Sequence, residues 1–434
     1  MVHDDGPVGL DAIAVVFDDQ RAVADAGIVL VATLAQRLGI EALVNDAVCL
    51  GDRAGAANAG AKVMTLVSAM ALGADCIDDC DVLRTGRTGH VLGHQVVAPS
   101  TLGTFLRAFT FGHVRQLDRV LGQTLTRAWR AGAGPGDGRL IVDVDSFVGE
   151  VHGRAKQGAA FGYTRVRGYH PILATRADSG EVLHIRLRKG SANTSRGMLR
   201  FADELIARVD RAGATGERLL RADSGFWAKK TFDRLDAAGW QFSIGVRLQA
   251  HVRTAVEQID EAAWTTLEDY PPTSIAQIAE TTLGDRRLVV RRVRTLDKQG
   301  ELLPSWEHYP FATNRSDALK VVESEHRQHA VVELAIRDLK DQALAHFPSG
   351  KFTANAAWTV IAALAHNLLR WTSLLGLPGH TIRAARTLRR RLLAMPSRLT
   401  KTARRWTLHL PARWPWRNAF TEALSRIRAL PTAA

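Results

Sequence analysis

Arg139 to Ser146 reads RLIVDVDS, and Leu140, Val142 and Val144 alternate there with Ile141, Asp143 and Asp145. Alternation of period two puts both aspartates on one face of a β-strand, in a run apolar enough to lie inside a sheet. Burial raises a carboxyl pKa and like charges oppose each other, so such a pair needs an offsetting charge, often a metal ion. In the competing reading one aspartate caps or ends the strand while the other pairs with an arginine. Other carboxylates at the ends of neighbouring elements would decide between the two.

Two further acids stand where that test asks for them. Asp223 closes the short apolar run RLLRADSG, at the C-terminal end of a strand, where open α/β sheets place ligand-binding side chains. Asp-Ser-Gly is also ordinary turn chemistry, so Asp223 could simply cap the next helix. Glu333 lies in HRQHAVVELAIRDLKDQ, where His326, His329, Glu333, Arg337 and Lys340 follow three- and four-residue spacing and share one helical stripe. A glutamate with basic neighbours at i+4 and i+7 otherwise forms a solvated ion pair.

Helices come first among the elements that must position these acids. GIVLVATLAQRLGI (27–40), AKVMTLVSAMAL (61–72), a segment opening at Pro99-Ser100 and another from about Gly112 to Ala131 are helical by their apolar spacing, and AGAGPGDG then breaks the chain. Strands are expected at RLIVDVDS, 170–177 and 182–188, a helix from about Ser195 to Ala212, a strand ending at Asp223, a helix from near Ala228 and a strand at 241–246. That order makes a mixed α/β sheet. Residues 247–310 interrupt it with two alternating runs around a Gly284-Asp285 turn, and a long helix is expected from about Asp317 to Leu344.

Net charge is +13, and its distribution is uneven. Residues 376–434 carry thirteen Lys and Arg against the single acid Glu422, and residues 82–131 carry seven arginines against Asp118, while residues 1–81 are acidic. Such clustering is the signature of a polyanion partner, nucleic acid foremost. Cys49, Cys76 and Cys80 suit a reducing cytoplasm; Cys76 and Cys80 lack a second ligand pair and fit packing better than zinc. The start of the chain is acidic and has no secretory pattern, and Ala356 to Trp371, short and carrying His366, Asn367 and Arg370, reads as a buried helix. A cytoplasmic, nucleoid-associated protein with no membrane partner is expected.

Taken together, these motifs resemble those of DDE-type bacterial insertion-sequence transposases, in the ribonuclease H-like superfamily that includes retroviral integrases. The similarity runs from about Val82 to Trp371. It is closest to the branch with a β-insertion before the glutamate and a Tyr-x2-Arg-x3-Glu-x6-Lys helix signature. His326, His329, Glu333 and Lys340 meet that spacing, with histidine in place of both tyrosine and arginine. Asp followed by Ser or Thr matches Asp145-Ser146, which favours Asp145 over Asp143 as first ligand, and ADSGFW matches at Asp223.

The resemblance implies a ribonuclease H-like mixed sheet flanked by helices. Its expected parts are a helical DNA-binding domain (1–135), a catalytic core in two pieces (136–246 and 311–375), a β-rich insertion (247–310) and a basic tail (376–434). It implies that Asp145, Asp223 and Glu333 hold two Mg²⁺ ions about 4 Å apart, replaceable by Mn²⁺, for in-line displacement at phosphorus. His326, His329, Lys340, Arg389, Arg390 and Arg391 are the expected DNA contacts. The implied reaction is cut-and-paste transposition of double-stranded DNA, from terminal inverted repeats to a target, in a homodimeric synaptic complex. A nuclease of the same fold that cuts without joining, and a domesticated DNA-binding regulator, stand beside it.

Overall fold

The computed structural model describes residues 9–162, 164–296, 305–377, 379 and 384–433. Five helices open the chain: α1 (Val29–Arg37), α2 (Ile40–Ala47), α3 (Ala59–Leu72), α4 (Pro99–Ala108) and α5 (Phe111–Ala128). The helix expected over 27–40 stops at Arg37 because Gly39 takes φ +63°, a left-handed turn that starts α2 in a new direction. Pro99 begins α4 as expected. Thr110 and His113 form a reciprocal cap at the start of α5, the Thr110 N–H donating to His113 Nδ1 at 3.1 Å.

The strand containing the two aspartates is β1 (Leu140–Ser146), followed by β2 (Ile172–Arg176), β3 (Val182–Arg186), α6 (Met198–Ala212), β4 (Arg218–Ala222), α7 (Lys229–Ala237) and β5 (Gln241–Gly245). β1, β2 and β3 pair antiparallel, while β4 runs parallel to β1 and β5 parallel to β4. This is the ribonuclease H-like mixed sheet, three antiparallel strands followed by two parallel ones reached through helices.

After α8 (Ala250–Glu257) come β6 (Ser274–Leu283), β7 (Arg286–Thr295) and β8 (Glu307–Thr313). β6 and β7 form the expected hairpin, and Gly284 takes φ +62° at the first of its two turn residues. The inserted segment is not a separate sheet. Phe311, Ala312 and Thr313 of β8 pair with Gly245, Ile244 and Ser243 of β5, so the insertion extends the catalytic sheet to nine strands. Burial supplies the reason: Ala312 joins the main core with Ile244 of β5, while Phe311, on the other face, is buried with Val289 and Val322.

The helix expected from 317 to 344 is three pieces: α9 (Leu319–Arg327), a 3-10 turn at Gln328–Val331 and α10 (Val332–Lys340). α11 (Phe352–Gly376) is buried along nearly its whole length and packs against α1, α3, α4 and α5 on one side and β3 on another. The N-terminal helices and the sheet therefore share one apolar core rather than forming a detached module. No single helix among the described residues is long and apolar enough to cross a membrane.

The segment expected to be a tail is folded. It contains α12 (Ala385–Leu388), the hairpin β9 (Ser397–Thr402) with β10 (Arg405–His409), and α13 (Arg417–Ala429). Ala22–Val23 pairs with β9, and Phe420, Ala423 and Ile427 bury a three- and four-spaced stripe of α13 against α11 and α1. The arginine count hid that stripe, because the basic side chains sit on the opposite, exposed faces.

Candidate active site

Register brings the first two acids together. Val144 of β1 lies opposite Ala222 of the parallel strand β4, so Asp145 and Asp223, one residue further on, emerge side by side at the C-terminal edge of the sheet. Asp223 leaves β4 into a 3-10 turn and its Oδ1 accepts the Gly225 N–H at 2.9 Å. It therefore does cap the turn, and the cap aims the carboxylate. Gly245, at the end of β5, was not singled out from sequence. A Cβ there would stand 2.7 Å from the Ser224 nitrogen, so only glycine lets β5 close on the Asp223 turn. Glu333 sits in the first turn of α10, which packs on β1.

Asp145 registers both of the others electrostatically. Its pKa is pushed up to about 6, chiefly by burial; Asp223 and Glu333 add to the rise, while the Ser146 N–H and His329 oppose it. The Ser146 N–H donates to Asp145 Oδ1 at 2.6 Å. Asp145 is half-buried and Asp223 and Glu333 are exposed, whereas the acids inside or at the edge of the core are matched with arginine: Asp118 with Arg208 at 2.8 Å, Glu204 with Arg115 at 2.8 Å and Glu323 with Arg291 at 2.9 Å. Among the described residues no salt bridge to Lys or Arg joins Asp145, Asp223 or Glu333, and the solvated Glu333–Arg337 pair does not form. Their oxygens do not close into a cage within 4.8 Å; among the described residues only Asp75, Cys76 and Asp79 do. A cleft of about 580 Å³ opens beside them, bounded by Asp223, Gly245, Arg247, Arg291, Tyr309 and Glu333.

Asp143, two residues upstream on the same face, belongs to a different arrangement. It is 0 % exposed and accepts both Nε and Nη2 of Arg221, at 2.7 and 2.8 Å, and lies 3.0 Å from His329 Nδ1. Arg221 also donates to the Gln328 carbonyl at 3.4 Å and to that of Glu325, so one buried guanidinium ties β1 and β4 to the break between α9 and α10. That tie sets where α10 starts and hence where Glu333 points. An arginine two residues before Asp223 was the available signal.

The expected DNA contacts divide. His326 stacks on Phe311 at 4.0 Å and bonds the Ser243 hydroxyl through Nδ1 at 2.8 Å. Burial, with His329, Arg291 and Arg221 nearby, pushes its pKa down to about 3, so it is neutral and carries no charge for a phosphate. His329 is turned onto Asp143. Arg389 is also turned inward, donating to Gln342 Oε1 at 2.7 Å, because α12 docks on the core. Lys340 at the end of α10 is exposed, as are Arg390 and Arg391, the latter 5.5 Å above the Trp416 ring.

A family model described as "Transposase DDE domain group 1" matches residues 6–432. The chain belongs to this family. The transposase thus acts on DNA with divalent metal ions, by phosphodiester cleavage and strand transfer. No curated protein matches it. A solved structure similar to it is the piggyBac transposase in a synaptic complex with hairpin DNA, at 11 % identity and a TM-score of 0.46, covering 87 % of this chain and 80 % of that one.

The raised Asp145 pKa gives a pH test. Between pH 3.8 and about 6 folded Asp145 keeps a proton the unfolded chain has lost, so its contribution to stability falls as pH rises through that window. If Asp145 is a metal ligand, a divalent cation would take the proton's place above it. On that reading saturating Mg²⁺ should stabilise the fold at pH 7.5 by about 3 kcal/mol at a hundredfold excess over Kd, seen as a rise in Tm. At pH 5, where the proton competes about elevenfold, calorimetry should find roughly half of that stabilisation gone, and Asp145→Asn should respond little at either pH.

Proposed function

We propose that the transposase frees an insertion sequence at its terminal inverted repeats by hydrolysis and joins the 3′-hydroxyl ends to target DNA, a cut-and-paste reaction. Asp145, Asp223 and Glu333 are the residues that would hold its divalent ions. The observation that carries this reading is that Asp145 and Asp223 leave adjacent parallel strands side by side, with Glu333 close enough to raise the pKa of half-buried Asp145, and that among the described residues none of the three has an arginine or lysine partner. Three carboxylates are a hard, oxygen-only donor set, which fits Mg²⁺ and accepts Mn²⁺. Divalent ions held there would supply activation of the attacking oxygen and stabilisation of the leaving one.

The chain's own residues do the rest. Gly245 and the Gly225 N–H hold Asp223 in line, Asp143 and Arg221 hold Glu333, and Lys340 with Arg390 and Arg391 grips phosphates along the duplex. Two copies act together, one at each end of the element, in the bacterial cytoplasm on nucleoid DNA. The purified protein, given a fragment carrying a pre-cut inverted-repeat end, a target plasmid and Mg²⁺, is expected to join the end to the target. Cutting of intact ends with no joining of pre-cut ones would leave a nuclease in place of this reading.

A further inference from the structure

Residues 13–19, IAVVFDD, form an extended arm outside any helix or strand. Ile13 is 52 % exposed, Val15 77 %, Val16 68 % and Phe17 103 %. Scattered exposed apolar residues are ordinary, but a contiguous β-forming run of them held in water marks a surface awaiting a partner. The arm is rooted where Ala22–Val23 pairs with β9 and where Arg398 meets Asp19 at 3.1 Å.

The opposite edge of that small sheet has what the arm lacks. Its order is Ala22–Val23, β9, β10, so the outer edge of β10 has no strand partner among the described residues. A groove of about 640 Å³ runs there, lined by four consecutive residues, Arg405 to Leu408, and so tracks the edge rather than one face of the strand. Val29, Phe420 and Leu424 make its apolar wall, and Arg428 joins Arg405 in making it basic. Neither arginine has an acidic partner among the described residues. The arm carries Asp18 and Asp19, with Asp11 just before it and no Lys or Arg between residues 9 and 19, so its charge complements this groove and is wrong for DNA or an anionic membrane.

We propose that the arm of one copy adds as a strand along β10 of a second copy, with its apolar side chains in the groove and Asp18 toward Arg405 and Arg428. Reciprocal exchange closes a two-fold dimer. The proposal rests on the homodimer proposed for the reaction and supplies its interface. Because the arm's Val15 and Phe17 are exposed and covered by nothing among the described residues, substituting them leaves the folded protein intact.

Sedimentation of the full chain with Val15→Ser and Phe17→Ser is expected to show a dimer dissociation constant at least tenfold above the parent's. On a Cys49→Ser background, chains carrying Val15→Cys mixed with chains carrying Leu424→Cys are expected to yield an oxidised dimer that neither yields alone. A double Ser variant that dimerises as tightly as the parent overturns the arm's role and leaves the homodimer standing. A cross-link confined to one chain, when both cysteines are placed in it, overturns the exchange. A parent that stays monomeric even with inverted-repeat DNA overturns both readings.

Discussion

Asp145→Asn is expected to lower Mg²⁺-dependent cleavage of an inverted-repeat end by about a thousandfold or more, while binding of that end stays within about threefold. The magnitude comes from the proposed role: loss of a ligand to the catalytic divalent ions would remove several kcal/mol of transition-state stabilisation, and each 1.36 kcal/mol is tenfold in rate. The fold should not suffer. Asparagine keeps the oxygen that accepts the Ser146 N–H, and it removes a charge whose pKa is pushed up to about 6 by burial and by its acidic neighbours. The metal-free variant should therefore melt no lower than the parent at pH 7.5. Activity and stability moving in opposite directions is the mark of a residue kept for chemistry. Gel-based cleavage and calorimetry on one preparation decide it: cleavage near the parent rate would remove Asp145 from the centre.

What could be read from the chain alone is what local pattern controls. The strand through Asp145, the end of β4 at Asp223, the hairpin at Gly284 and the helix carrying Glu333 each announce themselves within a dozen residues, by period and by turn chemistry. Contacts between distant segments were hidden. Asp143 and Asp145 share a face, so no periodicity separates them; the difference is Arg221, 78 positions away, which takes one and leaves the other. The break at Gln328–Val331 comes from the same guanidinium reaching the carbonyls that end α9. Charge misled at the C-terminal end, where thirteen basic residues concealed the apolar stripe of α13. Histidines at 326 and 329 sat at the right spacing for DNA, yet Ser243, Phe311 and Asp143, all remote in sequence, give them partners inside the protein.

Asp143→Asn should behave in the reverse way to Asp145→Asn. Arg221 is 1 % exposed, and its charge is balanced by the Asp143 carboxylate, with carbonyl oxygens its other acceptors. Removing one partner of a buried pair leaves an uncompensated charge, which costs about 3–5 kcal/mol. The amide also keeps only one acceptor oxygen for a guanidinium that now uses two, and His329 loses the carboxylate beside its Nδ1. Urea titration should place the variant's midpoint well below the parent's with an unchanged m-value, the signature of a stability change without a change in the surface exposed. The Tm rise on adding Mg²⁺ at pH 7.5 should survive, since the three unpaired carboxylates are untouched. Cleavage per folded molecule should fall only as far as the loosened α9–α10 junction displaces Glu333. An Asp143→Asn protein as stable as the parent but blind to Mg²⁺ would instead put the first ligand two residues upstream, and would leave Arg221 without the structural role argued for it.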